Sequence, residues 1–67
     1  MDALKQAIET AGGVRRLAAA ADIAPATIYA WLAGDRRMSA RFALRVEKAT
    51  KGAVTRKQLL PEIFAAR

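Results

Sequence analysis

The 67-residue sequence predicts an all-α fold, a single small domain over residues 1–67 built from five short helices. Three observations carry that prediction. Apolar residues recur at spacings of three and four, the period of one buried helical face. Glycine and proline divide the chain into segments of helical length. No stretch alternates apolar and polar residues strongly enough to make a strand.

The first helix runs from Asp2, a capping residue, to about Ala11, with Leu4, Ala7, Ile8 and Ala11 on its inner face. Gly12 and Gly13 stop it. The second, about Val14 to Ala21, turns Val14, Leu17, Ala18 and Ala21 inward and Arg15, Arg16 and Ala19 outward; at barely two turns it holds only if packed. After a tight connection at Asp22, Ile23 and Ala24, Pro25 opens a third helix that ends at Gly34, since proline has no amide hydrogen to lose at a first position. Gly34 to Arg37 reads as a turn, and Ser39 then caps a fourth helix through about Thr50 with Phe42, Ala43, Val46 and Ala49 inside. Lys51 and Gly52 close it. Thr55 caps a last helix bearing Leu59, Leu60, Ile63 and Phe64, which Pro61 must shorten, kink or restart. The alternative in this half is a strand at Ala53-Val54-Thr55.

The most informative stretch is residues 14–33, two short helices joined by a tight turn. Ala18 stands where crossing helices approach closely, Ile23 and Ile28 plug the angle between them, and Trp31 and Leu32 face the remaining core. A small residue, an apolar residue five later and another five after that is the packing pattern of a helix-turn-helix, although an ordinary helical corner shares it.

Charge favours a polyanionic partner. Lys and Arg number 12 against 6 Asp and Glu, a formal +6. Eight cations (Arg36, Arg37, Arg41, Arg45, Lys48, Lys51, Arg56, Lys57) face a single acid, Glu47, between residues 36 and 57. The Gly12-Gly13 pair is expected to leave free backbone amides at a helix start, the usual seat of a phosphate, with Arg15 and Arg16 beside it. Without cysteine or histidine the chain offers no disulfide, zinc-finger ligand, thiol nucleophile or imidazole base, so neither an enzyme nor a metal or other cofactor is expected. Alanine supplies 17 of the residues, and apolar runs such as Leu17 to Ala21 are far short of the roughly 20 needed to span a bilayer. A soluble, cytoplasmic protein is expected.

The segments Gly13-Val14-Arg15-Arg16-Leu17-Ala18 and Ile28-Tyr29-Ala30-Trp31-Leu32-Ala33-Gly34 resemble the small phage Cro repressors and the YdaS-type Cro-like regulators. The likeness continues through Arg37-Met38-Ser39-Ala40-Arg41, Val46-Glu47-Lys48-Ala49-Thr50-Lys51-Gly52 and Val54 to Ile63, nearly the whole chain. It implies a lambda-repressor-like architecture and a bacterial or prophage transcription factor that binds operator DNA, commonly as a dimer on paired half-sites. In that family the C-terminal half has both all-α and α+β versions. Two departures matter. Asp22 stands where members often have glycine, and the third helix exposes no Arg, Lys, Asn or Gln to make bidentate base contacts.

The expected base-facing residues are therefore Pro25, Ala26, Thr27, Tyr29 and Ala30, with alanine methyls set against thymine methyls and hydroxyls against base edges or phosphates. Val14, Arg15, Arg16, Arg36, Arg37 and Arg41 are the expected phosphate contacts. So small a module gains from pairing, and Leu59, Leu60, Ile63 and Phe64 form the candidate self-complementary patch unless they simply complete the core. The competing partners are a toxin or other protein in an antitoxin-like module, and an acidic membrane surface. Against the latter, the alanine-rich stripes are small and Trp31 points inward.

Overall fold

The computed structural model describes residues 2–64. Six helices follow one another: α1 (Asp2–Ala11), α2 (Val14–Ala21), α3 (Pro25–Ala33), α4 (Ala40–Ala49), α5 (Arg56–Leu59) and α6 (Pro61–Phe64). Among the described residues there is no strand. The strand alternative at Ala53-Val54-Thr55 is thus corrected, because Thr50 holds that segment in a closed turn. The five expected helices become six because Pro61 restarts the last one: Leu60 leaves helical geometry at φ −134°, ψ 69°, and Pro61 takes the first position of α6. Asp2 is the first helical residue and not the cap before it.

Each boundary has a local cause. The amides of Gly12 and Gly13 both donate to the Ile8 carbonyl, at 3.0 and 2.8 Å, which wraps the end of α1; the two glycines sit at φ 95° and 125°, where a side chain would be strained. Ser39 caps α4 by accepting the Phe42 amide at 3.4 Å. Thr55 and Gln58 form a reciprocal capping box on α5, with the Thr55 amide donating to Gln58 Oε1 at 2.8 Å and the Gln58 amide to Thr55 Oγ1 at 3.2 Å.

Helix α2 lies at the centre and packs on α1, α3 and α4, while α5 closes the far side against α1 and α4. One core joins them: Leu4, Leu17, Ile28, Val46, Val54 and Leu59 are all but sealed from solvent. Trp31 meets Phe42 with ring centroids 5.5 Å apart and tilted by 59°, tying α3 to α4. The inner faces read from the sequence are correct for α1, α2 and α4. Leu32 is the exception at 38% exposure, because Ile28 and Trp31 already fill the narrow contact that α3 makes. No described helix is long and apolar enough to cross a membrane.

The turn after α4 is organised by one buried polar group. Thr50 Oγ1 lies 3.1 Å from the Val46 and Glu47 carbonyls and accepts the Val54 amide at 3.2 Å, leaving no buried side-chain polar atom without a partner among the described residues. Thr50→Val keeps the shape and strands the Val54 amide inside the core. Chemical denaturation is expected to show a loss of about 1–3 kcal/mol, with Thr50→Ser restoring most of it. Equal stability of Thr50→Val and the parent contradicts this role for the hydroxyl.

Candidate nucleic-acid interface

The angle between α2 and α3 is set by a tight hydrogen-bonded turn. The Ile23 amide donates to the Ala18 carbonyl at 2.9 Å and the Asp22 amide to the Ala19 carbonyl at 3.4 Å, with Asp22 in the left-handed region at φ 58°, ψ 51°. Asp fills the place where glycine would be easiest, since its short polar side chain tolerates this backbone better than most. Ala18 and Ile23, 3% and 7% exposed, press together beneath the turn and Ile28 is fully buried next to them. The packing pattern read from the sequence is therefore the packing found.

Arg45 reinforces the turn from outside. Its guanidinium reaches across from α4 to donate to the Asp22 carbonyl at 3.2 Å and lies 5.5 Å over the Phe42 ring. The sequence marks Arg45 only as one of a run of cations; the crossing of α4 over α2 gives it this second duty. Arg56 is similarly engaged, 3.6 Å from the Glu47 carboxylate and 5.5 Å over the Phe64 ring.

This arrangement turns one face of α3 outward. Pro25, Ala26 and Tyr29 are exposed, Tyr29 by 56%, whereas Thr27 and Ala30 are half-buried along the edge. An open cleft between α2 and α3 brings Arg15 together with Ala19, Asp22, Ala24, Pro25 and Tyr29. Arg16 is exposed but folds back, and a Cβ on Gly12 would come within 3.0 Å of its Cδ. The glycine amides expected to be free are instead spent on the end of α1. The unpaired amides at this helix start belong to Val14, Arg15 and Arg16, since Leu17 is the first to reach back to the Gly13 carbonyl, at 3.0 Å.

After the end of α3, Arg36 and Arg37 in the following loop and Arg41 in the first turn of α4 are all exposed. Arg37 lies 3.7 Å from the Glu62 carboxylate, yet with its side chain 89% exposed the pair is a weak solvent-screened contact that leaves the guanidinium accessible. Arg36, Arg37 and Glu62 rim a smaller hollow floored by Trp31, Met38 and Leu60. Leu59 and Leu60 are 1% and 4% exposed inside the monomer, so these two complete the core and are not surface residues of a self-complementary patch. Phe64 packs partly against the same core, and Ile63 remains exposed by 52%.

An angled α2–α3 pair, closed by a turn at Asp22 and with one face of α3 turned outward, defines a small all-helical domain of helix-turn-helix type. The chain belongs to the YdaS family: the family model described as "Bacterial toxin YdaS" matches residues 4–67. Searches of curated proteins and of solved structures returned no match.

The turn makes a direct prediction. Asp22→Gly removes a side chain from left-handed backbone and should stabilise the fold by up to about 1 kcal/mol, part of the gain being offset by the freer unfolded chain. For a domain of this size that is a rise in Tm of up to about 4–8 °C, read by thermal denaturation. A lower Tm for the variant means that the Asp22 side chain itself supports the turn.

Proposed function

We propose that this chain is a sequence-specific double-stranded DNA-binding regulator, acting as a Cro-type repressor that places α3 in the major groove of an operator half-site. The observation that carries the reading is the division of labour within the α2–α3 pair: Ile28 and Trp31 hold α3 to the core, while its opposite face is exposed, with Arg15 in the same cleft as Tyr29 and exposed arginines at 36, 37 and 41 following its C-terminal end. A major groove about 12 Å wide admits one α-helix, and exposed cations at residues neighbouring that helix in the chain are available for the phosphates along it. The amides of Val14, Arg15 and Arg16, with the partial positive charge of a helix start, add a phosphate seat next to Arg15. Binding as a homodimer to half-sites about one helical turn apart raises the affinity of a module this small; among the described residues of the C-terminal segment, Ile63 is an exposed large apolar side chain open to such a contact.

A second reading has one observation of its own. The family description names a bacterial toxin, which favours a member of a toxin–antitoxin pair acting by growth arrest or through a protein partner. The readings separate on the same variants. If arrest on induced expression acts through DNA, substitutions that abolish duplex binding abolish it too; arrest that survives loss of duplex binding assigns the activity to a protein contact.

Duplex affinity measured across a salt series is expected to fall steeply between about 50 and 200 mM. Arg36→Ala and Arg41→Ala each weaken binding to all sequences alike and flatten the dependence of log K on log salt by about one. Affinity for duplex DNA that does not depend on salt, or its absence, overturns the proposal. For pairing, Ile63→Ser is expected to keep the parent's stability while losing cooperative binding to a duplex with two half-sites; unchanged cooperativity removes Ile63 from the contact.

A further inference from the structure

The small hollow beyond the end of α3 takes no part in the α2–α3 cleft, and we propose that it is a docking site for an acidic peptide segment that inserts one large apolar side chain. Its floor is Trp31, Met38 and Leu60 and its rim Arg36, Arg37 and Glu62, around a volume of about 210 Å³. Pockets that take whole small molecules run to about 300–1,000 Å³, so this one is sized for a single side chain. Its apolar floor also sets it apart from a phosphate seat. A phosphate has no apolar group to fill it, whereas a leucine or phenylalanine side chain does, and the Met38 thioether adapts to either shape.

The rim selects the charge of the segment. Arg36 and Arg37 are exposed; Arg36 has no ion pair among the described residues, and Arg37 is met by Glu62 at 3.7 Å. Glu62 thereby displays the chemistry this rim accepts, a carboxylate beside a guanidinium at the mouth of an apolar hollow, in an exposed pair weak enough to exchange for a ligand's carboxylate. Trp31 is an independent sign. It is 8% exposed, yet its indole N–H donates to no group among the described residues, and no sealed side-chain polar atom there lacks a partner. The N–H therefore keeps an open side, and Trp31 lines this hollow, where a peptide carbonyl would accept it. If α3 lies on DNA as proposed above, the same two arginines cannot hold phosphate and peptide together, so the docked segment displaces the duplex.

The test titrates the full chain with end-blocked peptides in which a central alanine, leucine or phenylalanine is flanked by glutamates, and with a matched set flanked by lysines. Trp31 is the chain's single tryptophan, so its emission reports occupancy of the hollow. The acidic leucine or phenylalanine peptide is expected to shift that emission saturably and to bind about tenfold more tightly than the alanine peptide, the gain from burying most of one side chain. Arg36→Ala weakens the acidic set about two- to fivefold with the order of anchors kept, and Glu62→Gln strengthens it by a similar factor. No saturable response up to about 1 mM, equal binding of the acidic and lysine sets, or equal binding of the alanine and phenylalanine peptides overturns the docking site. Adding the acidic phenylalanine peptide to the duplex complex is expected to lower duplex affinity. Bound peptide that leaves duplex affinity unchanged overturns the competition and leaves the docking site standing, and a chain that binds this peptide but no duplex overturns the DNA reading alone.

Discussion

The closed turn between α2 and α3 is the constraint from which the remaining architecture follows. With the Ile23 amide on the Ala18 carbonyl at 2.9 Å, the chain leaves α2 along one direction, and Ala18 lets α3 lie close against the helix it has just left. A larger residue at Ala18, which is 3% exposed, would pry the pair apart and lift Ile28 from the core. The Arg45 guanidinium on the Asp22 carbonyl adds an outside brace, so the angle is held by backbone, packing and charge together. An exposed helix on so small a scaffold needs such redundancy to hold a fixed orientation, because a tilt of α3 moves every residue on its outer face.

The core is small, and order comes from ties between elements as much as from bulk. Trp31 against Phe42 fixes α3 to α4, and Thr50 locks the turn that carries Val54 inward. The capping box at Thr55 and Gln58 starts a four-residue helix that could not persist alone. These ties free the exposed side of α3 from any structural duty, and free Arg15, Arg36 and Arg41 of any ion pair within the described residues. Arg45 and Arg56, cations of the same run, are instead spent on the fold.

Most of the architecture was legible in the residues because local signals agreed with the packing. Gly12-Gly13, Pro25, Gly34 and Ser39 mark real boundaries, and the spacing of Ala18, Ile23 and Ile28 predicts the helix pair that forms. The misreadings arise where tertiary structure decides. The Gly12 and Gly13 amides close α1 and are not left for an anion, since a helix end satisfies its own carbonyls first. For Leu59 and Leu60 the sequence left a surface patch and core completion both open, and the packing of α5 on α1 and α4 decides for the core. Leu32 falls outside the narrow strip that Ile28 and Trp31 fill. The Thr55-x-x-Gln58 capping box was readable in principle, whereas no pattern along the chain could reveal that Arg45 reaches Asp22, 23 residues away.

On this account affinity and selectivity come from different parts of the surface: arginines and helix-start amides grip the phosphates, and the methyl-rich side of α3 meets the bases. The most direct measurement of that claim is amide chemical-shift mapping on the uniformly labelled protein during titration with duplex DNA. The largest changes are predicted at Val14, Arg15 and Arg16 and at Ala26, Thr27, Tyr29 and Ala30, with the amides of α1 and α5 little moved. Changes confined to α1, α5 and α6, or none at saturating duplex, contradict it.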